Sequence, residues 1–331
     1  MKVVVTGSSG YVGAALIARW ADRSDLQVIG LDRTPPGRGP VPERFTFVQA
    51  DLASPPSYWP VETFRDVEAV VHLAAARGDW ALSAEDYFRD NVTATEGLLR
   101  MSWAATVQRW LFMSSVSVYG PSDAALDESA PCRPIGPYGE TKLASENLFR
   151  AFVQQQSARW SVVRPSAVFS PGHPANTNVY KLVQSLRTFP VPLIGSGANR
   201  KTVTYLPNLL QLIDWCLARM VDDQHAGAIY NYVEHPVQSV AELIATLRQA
   251  GVRPARTLPV PMGLALAAAW PIYQLGRLTG VDLRVTPERV RKYAANTWYD
   301  ASRVRRDGFK PDIALHDALA ATARWHLATI G

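Results

Sequence analysis

Cysteine is nearly absent from this chain of 331 residues, Cys132 and Cys216 being the two it has. Two such cysteines build neither a disulfide framework nor a metal-ligand cluster, and they fit a reducing cytoplasm. The opening Met-Lys-Val-Val-Val-Thr-Gly enters a strand pattern at once, without the apolar run and small-residue cleavage site of an export signal. Acidic excess is also lacking. The formal net charge is +5, yet the arginines are scattered and no basic stripe is interleaved with aromatics, which excludes a nucleic-acid partner from the expectations. Such an arginine excess suits small anions, since guanidinium binds phosphate in a fork. One long uncharged run occurs, Leu258 to Gly276. It approaches the length of a bilayer span, but Pro259, Pro261 and Pro271 interrupt it and no aromatic or basic boundary closes it. The expectation is a buried or cleft-lining helix, with no membrane span.

What is present belongs to a globular protein, with 47% apolar and 19% charged residues and a length suited to one large domain or two. Residues 2–6 read as a strand, and Gly7-Ser8-Ser9-Gly10-Tyr11-Val12-Gly13 leads into a helical pattern. Strand, glycine-rich turn and helix in that order form a dinucleotide cradle. Gly7 permits the tight turn, Gly10 lets a pyrophosphate approach the backbone, Gly13 lets helix and strand pack closely, and the helix N-terminus attracts the anion. The next strand, residues 26–31, delivers Asp32, a carboxylate placed to accept both ribose hydroxyls and repel a 2′-phosphate. NAD is therefore favoured over NADP, although Arg33 and Arg38 stand close enough to pair with such a phosphate.

Further strands read at 45–50, 67–74 and 110–113, with a long helix over 84–105 carrying Asn91. His72 lies within an apolar strand run and reads as a structural histidine. The fifth strand delivers Ser114-Ser115-Val116-Ser117 at its carboxyl end, where open α/β sheets gather their ligands. Downstream, Tyr138 and Lys142 are four apart at the start of a helix, which stacks phenol and ammonium on one face. A cation held beside a tyrosine favours the phenolate, and the pair can then move a hydroxyl proton during hydride transfer.

In this order, Thr6-Gly7-x-x-Gly10-x-x-Gly13, Asp32, Asp51-Leu52, His72-Leu73-Ala74-Ala75, Asn91, Ser114-Ser115-x-x-x-Tyr119-Gly120, Tyr138-x-x-x-Lys142 and Arg164-Pro165 make the chain resemble the extended short-chain dehydrogenase/reductase family of NAD-dependent epimerases and dehydratases. The motifs cover the first half. The resemblance implies a Rossmann-type doubly wound parallel sheet with a smaller, mainly helical C-terminal substrate-binding domain. The NAD domain would span 1–165, its sheet completed by about 202–233, with 166–201 and 234–331 forming the substrate domain. It also implies roles. Tyr138 would be the acid–base, Lys142 would hold the nicotinamide ribose and depress the tyrosine pKa, and Ser115, five residues before Gly120, would bind the reacting oxygen. Gly7, Ser9, Gly10, Tyr11, Val12, Asp32, Arg33, Asp51, Leu52, Leu73, Ala74, Ala75, Asn91, Ser114 and Pro165 would complete the NAD site.

Dehydratases of this family carry an Asp-Glu pair after the catalytic Ser or Thr. This chain has Val116-Ser117 there, which disfavours dehydration and leaves epimerisation or keto reduction. Nucleotide-sugar members grip a diphosphate with arginines and an asparagine, and Ser117, Asn178, Val179, Arg200, Arg289 and Arg291 match those positions. Ala167 and Pro207-Asn208 depart from that pattern, so an apolar alcohol of the 3β-hydroxysteroid or dihydroflavonol type stands as the alternative. A dinucleotide-sensing protein without chemistry is a further alternative, disfavoured by the intact Ser115, Tyr138 and Lys142. Family members usually dimerise through a four-helix bundle, here formed by 84–105 and 138–156 with Leu143, Leu148, Phe149 and Phe152 as apolar surface.

Overall fold

A computed structural model describes residues 1–37, 39–54, 61–77, 82–172, 177–188, 191–221, 226–252, 257–279 and 286–330. The β-branched run Lys2–Thr6 (β1) lies at the centre of a parallel sheet. On one side β1 pairs with Gln27–Asp32 (β2), which pairs with Phe45–Gln49 (β3). On the other side come Ala69–His72 (β4), Arg109–Met113 (β5) and Arg159–Pro165 (β6). Gly227–Tyr232, the eleventh strand in chain order, closes that edge by pairing with β6. The order of strands reverses between β1 and β4. Their carboxyl ends therefore flank a crevice, the usual ligand position in a doubly wound sheet.

Strand periodicity sends alternate residues to opposite faces. Val3 and Val5 pack with Leu16 and Ile17 of Tyr11–Arg19 (α1), whereas Val4 packs with Leu98, Leu99, Phe149 and Phe152 on the other face. The expected helix over 84–105 is a broken one: Ala84–Tyr87 (α2), a wide π-helical turn at Phe88–Thr93, Ala94–Ser102 (α3) and a 3-10 turn at Trp103–Ala105. Pro137–Gln155 (α4) starts with proline at its first position, where no intrahelical N–H is needed. Phe149 and Phe152 do not form a free dimer surface, because Phe149 stacks on Phe112 at 5.1 Å and Phe152 meets Trp110 edge-on at 5.3 Å. Leu148 remains exposed.

Beyond β6 the chain builds smaller units. Ala167–Phe169 (β7) is followed by Asn178–Thr188 (α5), Val191–Ile194 (β8), Arg200–Lys201 (β9) and Val203–Tyr205 (β10). Residues 202–205 do not complete the main sheet, as expected from sequence, because β10 pairs with β7 in a separate two-stranded sheet. Leu206–Arg219 (α6) packs on the α1 face, and Gly227–Tyr232 (β11) then returns to the main sheet. Gln238–Ser239 (β12) pairs with β9, and Val240–Gln249 (α7) begins with a capping box made by Ser239 and Glu242. Thr257–Val260 (β13), Met262–Thr279 (α8), Pro287–Ala294 (α9), Ser302–Arg306 (α10) and Leu315–Ile330 (α11) complete the helical end. The run from Leu258 is neither buried nor uniform. It forms a strand that pairs with β8, and then a helix whose Leu264, Leu275 and Leu278 are exposed. Among the described residues no helix is long and apolar enough to cross a membrane.

Candidate active site

The glycine turn lies at the crevice. Gly7 has φ +66°, and a Cβ there would come within 2.7 Å of the Ala74 nitrogen, so the turn sits directly against the end of β4. At Gly13 a Cβ would stand 2.1 Å from the Gly7 oxygen, which locks the start of α1 onto the turn. Gly10 is different: its Cβ would meet a single atom, the Gly7 oxygen at 3.1 Å, and the rest of its surroundings is open. It caps α1 with no side chain bonded to the first-turn N–H groups. An open glycine below uncapped N–H donors fits the pyrophosphate of NAD.

The ribose end fits as well. Asp32 accepts from the Ser9 and Thr34 nitrogens, each at 3.0 Å, and Ser9 Oγ donates to the Thr34 carbonyl at 2.6 Å. Arg33 donates both guanidinium arms to Asp90, at 3.0 and 2.9 Å. Arg89 joins Asp90 to Asp51, continuing the ion-pair chain across the adenine side. A cation engaged in a fork this way is not offered to a 2′-phosphate, which sharpens the preference for NAD. Arg38 lies outside the described residues.

At the other end of the crevice, the Ser115 hydroxyl stands close enough to Tyr138 to pull its pKa down. Ser115 Oγ also contacts Ser117 Oγ at 3.1 Å and accepts from the Ser117 nitrogen at 3.2 Å, so it caps the 3-10 turn Val116–Val118. Gly139 makes the approach possible, since a Cβ there would lie 2.6 Å from the Ser117 oxygen. The Tyr87 ring meets Tyr138 edge-on at 6.1 Å. Burial raises the Tyr138 pKa, opposed first by the Ser115 hydroxyl and then by the charge of Arg77.

Lys142 turns towards the end of β5. Its ammonium donates to the Met113 carbonyl at 2.7 Å and lies 4.6 Å from the Phe112 ring centre. Burial lowers its pKa to about 8, while the Glu146 carboxylate pulls it up. Glu146 is one more helical turn along the same face of α4. It accepts from Ser114 Oγ at 2.7 Å and from Arg164 Nε at 3.0 Å, and both ion-pair partners are almost wholly buried. Arg164 Nη1 continues to Tyr119 Oη at 2.6 Å, which donates to Asn231 Oδ1 at 2.8 Å. Ser114 is thus a strut between β5 and α4.

Asn91 projects from the π-helical turn and closes the loop after β4. It accepts from the Ala76 nitrogen at 2.7 Å and donates to Thr141 Oγ1 at 2.9 Å, tying that loop to the helix of Tyr138. His72 is structural, as its sequence context indicates. Thr6 Oγ1 accepts from the nitrogens of Leu73 and Ala74, so its proton faces His72 Nδ1 at 2.6 Å. Thr95 Oγ1 gives its own proton to the Asn91 carbonyl and so receives one from Nε2 at 3.0 Å. Both ring nitrogens are satisfied with the imidazole neutral, and burial drives its pKa down to about 3.

Leu52 is buried, Val12 and Leu73 are half-buried against the α1 core, and Pro165 ends β6 opposite Tyr232. The residues matched to substrate sit on separate elements. Asn178 is exposed at the start of α5, but the Val179 side chain is buried with Phe169 and Val183, so it offers no side-chain contact. Arg200 donates to the Val237 carbonyl at 2.9 Å and stacks on Trp298 at 4.9 Å. The Trp298 carbonyl accepts from the Leu126 nitrogen at 3.1 Å, which couples this arginine to the segment following Tyr119 and Gly120. Arg289 and Arg291 lie on α9, half-buried and exposed respectively. Sequence reasoning missed Arg77, Tyr87 and Glu146. Glu146 alone had a usable signal, its spacing of four from Lys142.

Residues 3–232 match the NAD dependent epimerase/dehydratase family. The N-acetyl-alpha-D-glucosaminyl-diphospho-ditrans,octacis-undecaprenol 4-epimerase of Escherichia coli O157:H7 is 28% identical over 98% of this chain and 95% of its own length. A structure of MoeE5 with UDP-glucuronic acid and NAD is 25% identical, with a TM-score of 0.74 over 99% of this chain and 100% of that one. The UDP-glucuronic acid 4-epimerase of Bacillus cereus, solved with NAD, shares the fold at 21% identity and TM-score 0.76, each chain covered completely.

Proposed function

Because this chain belongs to the NAD-dependent epimerase/dehydratase family, we propose that it is a 4-epimerase of a sugar carried on a diphosphate, with Ser115, Tyr138 and Lys142 as its catalytic set. The observation that carries this reading is the close approach of the Ser115 turn to the helix of Tyr138 at Gly139, in the same chain as the glycine cradle. Both the MoeE5 ligand and the substrate in the E. coli relative's name are sugar diphosphates, esterified onward to a nucleoside in one and a polyprenol in the other. NAD supplies the hydride acceptor and donor. Ser115 holds the sugar oxygen, and Tyr138, which would be ionised with the positive nicotinamide ring of bound NAD beside it, takes the hydroxyl proton as the carbonyl forms and returns it after the keto sugar has turned over. Lys142 holds the nicotinamide ribose from its place beside Met113. Val116 and Ser117 supply no acid–base pair for expelling water.

We place substrate binding in residues 166–201 and 234–331, with Asn178, Arg200, Arg289 and Arg291 directed at the diphosphate, and the NAD domain in 1–165. The protein is a cytoplasmic homodimer in this reading, with Leu148, Phe88 and Trp103 as the exposed apolar residues of the helix pair. Incubation with UDP-N-acetylglucosamine, UDP-glucuronic acid and a short-chain polyprenyl-diphospho-N-acetylglucosamine tests the function. Inversion at C4, followed by NMR without net NADH, is the expected result for at least one of them. Stoichiometric NADH with steroid or flavonoid alcohols and no inverted sugar would overturn it.

A further inference from the structure

Helix α8 is inside out. At spacings of 7, 11 and 14 from Leu264, the residues Pro271, Leu275 and Leu278 share one stripe. Leu264, Leu275 and Leu278 are 64%, 55% and 85% exposed, Trp270 beside them is 59% exposed, and Ala269 on the opposite face is 1% exposed. Large apolar side chains thus stand outward along most of this helix, while Ala269 is buried and Leu266 half-buried against the protein. The helix therefore leaves most of its large apolar residues without a partner surface among the described residues. Within Met262–Thr279 there is no aspartate or glutamate, and Arg277 is the single charge. The flanks are basic: residues 248–293 carry eight arginines and lysines against Asp282 and Glu288, a net of +6, more than the +5 of the whole chain.

We propose that this outward face of α8, with its basic flanks, docks on an anionic lipid surface, the apolar stripe entering the boundary between headgroups and acyl chains. Two features select lipid over a second copy of the chain. A two-fold contact through α8 would set Arg277, with no acidic residue in the helix to meet it, against its own copy, whereas an anionic monolayer takes both the leucine stripe and the charge. The helix is too short in apolar residues to span, so it lies in the interface plane, as basic amphipathic anchors do. The same chain segment runs on through α9 to Asn296 and Thr297, which hold Arg200 and its neighbours: Asn296 Oδ1 accepts from the Arg200 nitrogen at 2.8 Å. Docking would therefore bring the substrate side of the enzyme to the membrane. Resting on the epimerase reading, this favours the polyprenyl form of the diphosphate-linked sugar.

Flotation of the full-length protein with phosphatidylcholine vesicles, with and without phosphatidylglycerol, tests the docking without turnover. Wild type is expected to float with phosphatidylglycerol vesicles, less so at high salt, and the L275E/L278E variant to float about tenfold less. Trp270 gives a readout in otherwise unaltered protein: the fluorescence blue shift seen with phosphatidylglycerol vesicles should disappear in W270F. Wild type that stays with the soluble fraction, or L275E/L278E that floats equally well, would overturn the proposal. So would a variant that turns from dimer to monomer while its flotation is unchanged, since the stripe would then be a contact between copies. Failed flotation leaves C4 inversion of UDP-sugars standing, and failed inversion leaves flotation standing, so the two readings fall separately.

Discussion

The Lys142 ammonium rests on the Met113 carbonyl at 2.7 Å, one helical turn from the Tyr138 phenol. The helix face shared by these two residues is real, but the cation points to the strand end, at the floor of the cofactor crevice. There it is placed to meet a ribose, and the phenol keeps a raised pKa set by burial. The Ser115 hydroxyl is the first group that opposes that rise.

Replacing Tyr138 with Phe removes the proton carrier and leaves the glycine cradle intact. Turnover should fall by about 10²–10⁴-fold, while the NAD released on denaturation stays near one per chain. Inversion at C4 by NMR and cofactor quantitation check the two parts.

Gly139→Ala should act almost as strongly without touching a reacting group. Its methyl would fall 2.6 Å from the Ser117 oxygen, a backbone atom that can yield only by moving the Ser115 turn away from Tyr138. The expected outcome is kcat reduced by about 10²-fold with NAD content retained, because a misplacement of about 1 Å costs that much. Unchanged kcat would show that the turn gives way freely.

Arg33 is kept from a 2′-phosphate by Asp90 and by the Asp32 carboxylate. Asp90→Ala frees the guanidinium, and Asp32→Ala removes the repulsion. The double variant should bind NADP at least about tenfold better relative to NAD, about 1.4 kcal/mol, measured by fluorescence titration. No change in the ratio would discard the ribose argument.

The Glu146–Arg164 pair is fully internal, so its loss is asymmetric. Glu146→Ala strands the Arg164 charge and should cost about 3–5 kcal/mol of stability. Glu146→Met with Arg164→Met should cost much less, because no charge is left buried. Denaturant unfolding of both variants provides the check. Glu146→Ala should also drop the Lys142 pKa further, since the carboxylate is what raises it.

His72 makes acid stability predictable. Folding lowers its pKa from 6.5 to about 3, so below 6.5 the unfolded chain binds a proton that the folded chain refuses. This contribution is complete above pH 6.5 and is lost as pH falls towards 3, with a slope of about 1.4 kcal/mol per pH unit. His72→Gln should flatten that limb in a series of denaturant melts.

The sheet and the cofactor cradle were legible because they depend on local rules: alternating β-branched runs, glycines where backbone touches backbone, and a carboxylate at a strand end. Ser115 and Tyr138 were legible for the same reason, each being fixed by the end of one element. Arg77 and Tyr87 were not, since they reach the phenol only through tertiary packing that no spacing announces. Helix α8 was misjudged because an uncharged run is ordinarily buried. Hydrophobicity counts the leucines without saying which way they face. Phe149 and Phe152 were misread for the same reason, as a surface when they are core.

The wide turn at Phe88–Thr93 makes the adenine side sensitive to length. It holds one residue more per turn than an α-helix, and that residue aims Asn91 at Ala76 and Thr141 while Asp90 faces Arg33. Deleting one residue of the six would restore regular winding and change the register of the residues inside the turn, parting Asn91 from its loop or Asp90 from its arginine. Apolar-for-apolar substitutions at exposed Phe88 should therefore be tolerated in a saturation library where single-residue deletions are not. The segment behaves as a spacer of fixed count, with most of its meaning in the number of its residues.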